Sequence, residues 1–207
     1  MAKTTSKKRS SKKTNLSQDG VEAALRLAGK IPWNDIFLAD IAAEARVTED
    51  ELRIVFPTKL SILEVYGEQV DEQVAARGTS ISMHGPMKDR MFEAVMIRLD
   101  ILENHKDALA SIIRANLPGN LKTLAVGTKA LQRGMAQLLD LCGGSSSGLC
   151  GQLKLNALGL IYLSVLRIWL MDDTPDSGKT MATLDKMLAQ ADSIMKILPT
   201  NPLRRGQ

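Results

Sequence analysis

The chain has 207 residues, 44% of them hydrophobic but only 3% aromatic, and a formal net charge of +4. That length and apolar content suffice for a folded core, and the wealth of Leu, Ala and Met over β-branched and aromatic residues points to an all-α protein rather than a sheet. A uniformly basic body is excluded. Lys3, Lys7, Lys8, Arg9, Lys12 and Lys13 crowd the first thirteen residues without an acid, and the rest of the chain is net acidic.

In chain order, residues 1–15 read as a basic, Ser/Thr-rich arm, expected to be disordered by itself. It lacks the apolar run of a signal peptide, so a cytoplasmic protein is expected. A helix begins near Ser17, a suitable N-cap, and carries Val21, Ala24, Leu25 and Ala28 at one-face spacing until Gly29 and Pro32 end it. A short helix fits 37–45, with Leu38, Ile41, Ala42 and Ala45 together. Thr48 and Glu51 then form the pair of a capping box for a third helix ending near Phe56. Pro57 and Thr58 restart the chain into a helix over about 58–77.

Residues 78–86 hold Gly78, Gly85 and Pro86 and read as a connection. Helices are expected over about 87–103, 105–116 and 120–141, with Pro118 and Gly119 between the second and third. A GGSSSG segment leads into a strongly apolar helix over about 149–171. Asp172 to Pro175 form a break, with Pro175 in the first turn of a last helix, 176–197. The apolar helix approaches a membrane span in length. It contains Gln152, Lys154, Asn156 and Arg167, however, and each charge at a bilayer centre costs ~2.5–3.5 kcal/mol. A place inside a helical bundle or subunit interface is expected instead, without a membrane span.

Residues 21–66 thus read as helix, short helix, tight turn, short helix and restarted helix. Ala42, Ala43 and Ala45 permit close helix crossing, and Val47, Leu52 and Phe56 supply an apolar plug. This is the layout of a helix-turn-helix, whose second helix can enter the major groove of DNA.

Over these residues the chain resembles the TetR family of repressors, in the ALRLA stretch of the first helix, DIAAEARV across helix and turn, and the FPTK run followed by IL. The resemblance implies an all-α fold with an N-terminal three-helix head over 16–66, a C-terminal ligand-binding and dimerisation bundle over 67–198 and a tail over 199–207. It also implies a homodimer that binds a double-stranded DNA operator and responds to a small apolar ligand. Thr48 matches the hydroxyl that begins the recognition helix. Lys59 matches the lysine that opens the fourth helix, where ammonium and helix N-terminus face phosphate. Candidate DNA contacts are therefore Thr48, Glu49, Glu51, Arg53 and Lys59, with Lys12 and Lys13 from the arm.

The chain also departs from the family pattern. Arg46 stands at the usual turn glycine, and a left-handed backbone there would cost a residue with a Cβ ~1–2 kcal/mol. Glu49, Asp50 and Glu51 replace residues that are often basic or small and polar. Arg53 stands for the usual Tyr, and Val55 for a frequent His. Acids can accept from cytosine N4 but cannot draw the helix to phosphate.

The family's ligand pocket falls near Met83, Met87, Met91, Phe92, Val95 and Met96, where Met suits irregular apolar space. Leu158, Ile161, Tyr162, Val165, Leu166, Trp169, Leu184, Met187 and Leu188 can form a two-helix face. Two such faces make a four-helix dimer interface, or the same residues serve the chain's own core. The C-terminal run from Leu158 to Leu188 is also similar to ubiquinone-biosynthesis lipid-binding proteins that share the fold without using it on DNA. Their aromatic, glycine-containing signature is absent here. A lipid or isoprenoid carrier, or a protein-interaction partner, are thus the rival readings. No Ser/His/Asp set, phosphate loop or metal-spaced His/Cys group is present, so neither catalysis, cofactor nor metal is expected. Cys142 and Cys150 are read as reduced thiols.

Overall fold

The computed structural model describes the backbone of residues 3–116 and 121–197, and the side chains of 15–116 and 127–194. Among the described residues there are nine α-helices, two short 3-10 turns and no strand. The helices are α1 (Lys3–Ala28), α2 (Leu38–Glu44), α3 (Glu49–Val55), α4 (Lys59–Gly78), α5 (Met87–Leu102), α6 (Lys106–Asn116), α7 (Leu121–Leu141), α8 (Gly148–Trp169) and α9 (Gly178–Ile197). The 3-10 turns are Trp33–Asp35 and Glu103–His105. Of the breaker residues, Gly29, Pro32, Pro57, Gly85, Pro86 and Pro175 fall between helices, and Gly78 is the last residue of α4. Pro118 and Gly119 lie outside the described residues, as does the expected tail over 199–207.

Several boundaries differ from the sequence reading: α8 ends at Trp169 and not 171, and the starts of α1 and α9 also differ. The arm expected to be disordered is helical backbone from Lys3 onward, continuous with α1. No Gly or Pro interrupts 3–19, so each residue added to an existing helix gains a hydrogen bond without a new nucleation cost. The last helix starts at Gly178 and not 176, which leaves Pro175 in the preceding turn. The reason is Asp172, whose carboxylate closes that turn. Oδ1 accepts from Thr174 N and Oγ1 at 3.2 and 2.6 Å, and Oδ2 from Thr180 N and Oγ1 at 2.9 and 2.7 Å. The Thr174 and Thr180 hydrogen bonds hold this carboxyl well below the usual carboxylate range.

The chain divides into two compact units. The first comprises residues up to Gln73 together with 101–130. Within it, α6 packs against α1. The predicted stripe of α1, Val21, Ala24, Leu25 and Ala28, is buried, with Ile41 and Ala42 of α2 and Leu52 of α3. Phe56, which follows α3, is fully enclosed. Gly20 lets α1 approach closely: a Cβ there would lie 2.7 Å from Phe56 Cε2 and 3.0 Å from Leu52 Cδ1.

The second unit comprises 74–100 and 131–207. It is built around the α8–α9 pair. Val165, Trp169 and Leu184 are sealed in its core with Leu99, Met135 and Leu138. Full burial of such side chains contributes about 1.5–3 kcal/mol each. The buried Arg98 donates from Nε to Tyr162 Oη at 3.3 Å, with its guanidinium 5.7 Å from that ring's centre. The GGSSSG segment opens with a helix stop. Gly143 has φ +72°, and the amides of Gly143 and Gly144 return to the carbonyls of Asp140 and Leu139. Both cysteines are free, Cys150 exposed and Cys142 buried, and burial pushes the Cys142 thiol up to about 11.

Candidate nucleic-acid interface

α2, the turn over 45–48 and α3 form the helix-turn-helix. The end of α2 is built by main-chain bonds. Val47 N donates to Ala42 O at 3.0 Å and Arg46 N to Ala43 O at 3.1 Å, with Arg46 between them at φ +59°. This paired closure requires one left-handed residue. The strain foreseen for a side chain at the turn is therefore present. Arg46→Gly should raise the stability of the protein by about 0.5–1 kcal/mol, because relief of ~1–2 kcal/mol is partly offset by glycine's greater freedom when unfolded. A thermal melt checks it; a lowered midpoint would mean that the arginine side chain holds more than its backbone costs.

α3 begins with the expected capping box. Thr48 Oγ1 accepts from Glu51 N at 3.2 Å, and Glu51 Oε2 accepts from Thr48 N at 3.2 Å. Both side chains are thereby committed to the helix end. Arg53 is committed too: its Nε donates to Glu49 Oε1 at 2.8 Å, one turn earlier. Of the charged groups on α3, Asp50 and Arg53 are exposed.

Lys59 is placed differently from the expected phosphate contact. Its ammonium donates to Trp33 O at 2.7 Å and Ile36 O at 2.6 Å, and lies 4.9 Å from the centre of the Trp33 ring. Burial holds it below the usual lysine range. The Trp33–Asp35 turn ends in the extended residue Ile36, and carbonyls 33 and 36 converge on the start of α4. Lys59 thus fastens that turn to α4. Two of its three protons are spent, so its first role is to position. A groove of about 620 Å³ runs along this side of the head, lined among others by Trp33, Phe37, Glu49, Arg53, Pro57 and Lys59.

The two most exposed apolar residues of the head, Ile54 of α3 (76% exposed) and Phe37 at the N-cap of α2 (67% exposed), were not foreseen from the sequence. The signal was present for Ile54. Leu52 and Phe56 share the buried side, and a residue two places after Leu52 lies about 200° around the helix. Lys12 and Lys13 lie on the backbone of α1, and their side chains lie outside the described residues.

In the second unit, a cavity of about 360 Å³ is lined by Met87, Met91, Leu139, Leu158, Ile161 and Leu188, with Lys88, Lys154 and Asp192 as its polar groups. Of the expected pocket residues, Met87 and Met91 line it, and Phe92, Val95 and Met96 do not. Val95 is sealed in the core, and Phe92 and Met96 are half-buried. The helical period turns Phe92 and Met96 away from the side of Met87 and Met91, whereas Val95, one turn after Met91 on that same side, is closed off by burial.

The expected dimer face needs a larger correction. Leu158, Ile161, Tyr162, Val165, Trp169, Leu184 and Leu188 are buried inside the single chain, and Leu166 is half-buried. Three of them, Leu158, Ile161 and Leu188, line the cavity instead. The apolar residues that α8 leaves in solvent are Leu149, Leu153, Leu160 and Leu163, at 93%, 50%, 68% and 48% exposure. Their separations of four, seven and three residues put them on one stripe. α8 is long and apolar enough to cross a membrane by length and composition.

Comparison with known proteins finds the likeness in structure alone. No protein-family model matches the chain, and no curated protein is a match in sequence. Among solved structures, a TetR transcriptional regulator from Nitrosomonas europaea superposes with a TM-score of 0.72 at 22% identity, over 86% of this chain and 98% of that one. A TetR transcriptional regulator from Rhodococcus sp. RHA1 gives 0.67 at 16% identity, over 91% and 100%. A TetR-family transcriptional regulator from Streptomyces coelicolor gives 0.55 at 18% identity, over 90% and 94%. At such identities the likeness is one of fold.

Proposed function

We propose that this chain, which has the TetR fold, is a homodimeric transcriptional regulator that binds duplex DNA through α2, the turn and α3 and releases it in response to a small apolar ligand. The observation that carries the reading is a properly capped, outward-facing α3 in a fold shared with TetR regulators over most of the chain. The second helix of a helix-turn-helix enters the major groove, and a two-fold dimer presents two such helices to half-sites about one helical turn apart, or a multiple of it. The exposed leucine stripe of α8 supports the dimer: four leucines open to water on one helix find burial against a second copy. The same stripe then belongs to a subunit interface and not to a bilayer.

The apolar lining of the second unit's cavity supports the ligand, and its polar groups suit one with a polar end. The reading places the protein in the cytoplasm, where both thiols stay reduced. It assigns no catalysis.

Binding to random-sequence duplex across a salt series tests the reading. Affinity should fall linearly on a log–log plot, and Lys12→Gln with Lys13→Gln should make the slope shallower by about 0.9 for each phosphate no longer neutralised. A slope unchanged in that variant would remove the arm from the interface. Absence of duplex binding at every salt, with lipid co-purifying with the protein, would replace this reading by that of a lipid or isoprenoid carrier.

A further inference from the structure

The charged and hydroxyl groups of α3 are mostly engaged with one another. Thr48 and Glu51 close the capping box, and Arg53 lies on Glu49. The commonest side-chain contact to guanine is a bidentate Arg or Lys. On α3 the arginine is already bound to a carboxylate, and Lys59 beyond it is bound to two carbonyls. α3 offers outward Ile54, 76% exposed, with Asp50 one turn before it, also exposed, and beside them Arg53, exposed and paired with Glu49. Residues four apart on a helix share a face.

We propose that Ile54 is a specificity-determining residue that packs on a thymine C5-methyl in the major groove, and that Asp50 accepts from the N4 amino group of a neighbouring cytosine. The inference rests on the DNA-binding reading above and names the base chemistry that the reading leaves open. A branched apolar side chain matches the one apolar group in the major groove, the thymine methyl. A carboxylate matches an amino donor and is repelled by the O6 and N7 acceptors of guanine, so the same residue selects for cytosine and against guanine. The acidic first turn of α3 thereby becomes a reader of bases, while non-specific attraction to phosphate comes from elsewhere in the chain.

The experiment starts by selecting duplexes from a random pool with the full-length protein. If none is enriched and none binds at any salt, the DNA-binding reading fails and the inference fails with it. With an enriched duplex in hand, each thymine is replaced in turn by deoxyuridine, which removes the methyl group alone. The wild-type protein should lose about fourfold in affinity at one thymine of each half-site, the worth of one buried methyl. Ile54→Ala should bind the thymine duplex more weakly and be indifferent to that replacement; its thermal midpoint confirms that it is folded. Selection repeated with Asp50→Asn should shift the adjacent base from cytosine towards adenine, the base that an amide reads. Enrichment with no thymine-methyl dependence in the wild type, or with the same dependence kept in Ile54→Ala, would overturn the assignment while leaving DNA binding intact. An unchanged cytosine preference in Asp50→Asn would overturn the second half.

Discussion

Phe56→Ala is expected to cost the protein about 3–5 kcal/mol, a large part of the stability of an ordinary domain, and to abolish the proposed DNA binding although every outward residue of α3 is retained. The ring is fully enclosed and packs against α1 at Gly20. Removing it leaves a cavity that the surrounding helices close only in part. The reverse change tests the same packing from the other side. Gly20→Val places carbon where Phe56 Cε2 is 2.7 Å away and Leu52 Cδ1 is 3.0 Å away. The ring has no solvent to retreat into, so overpacking should cost about 1–3 kcal/mol. Urea melts of both variants measure these losses. A Gly20→Val protein as stable as the parent would show that α1 and α3 are not held this closely.

Trp169→Ala and Leu160→Asp should separate core from surface within one helix. Trp169 is 1% exposed, and its loss should cost about 3–5 kcal/mol whatever the oligomeric state. Leu160 is 68% exposed. An aspartate there should leave the stability of the single chain within about 0.5 kcal/mol. In a dimer, however, it brings two like charges into the apolar seam, so the variant should sediment as a monomer and lose tight binding to a two-half-site operator. Denaturant melts with analytical ultracentrifugation read both quantities. A Leu160→Asp protein that remains dimeric would move the interface off this stripe.

Local chemistry was legible wherever neighbouring residues determine it. Thr48 and Glu51 are close enough in the chain to cap α3, and they do. Arg46 follows the end of a short helix, and only a left-handed residue lets the amides of 46 and 47 turn back together, so its strain was foreseeable. Helix ends marked by Gly and Pro followed for the same reason. The start of α1 was less legible, because lysine and serine neither break a helix nor bury a face.

The sequence by itself determined the helices, their stops and the helix-turn-helix, since these depend on backbone geometry and on interactions a few residues apart. Tertiary structure alone decided which way α8 faces. A helix apolar on most sides has no preferred inward direction until its neighbours pack on it; α8 pairs with α9, Trp169 and Val165 are sealed in the folded unit, and Leu160 and Leu163 are left outside. It also decided the role of Lys59, because carbonyls 33 and 36 meet its ammonium only after the chain between them has folded back. A charge can be read from a sequence, but the partner it finds is set by distance in space.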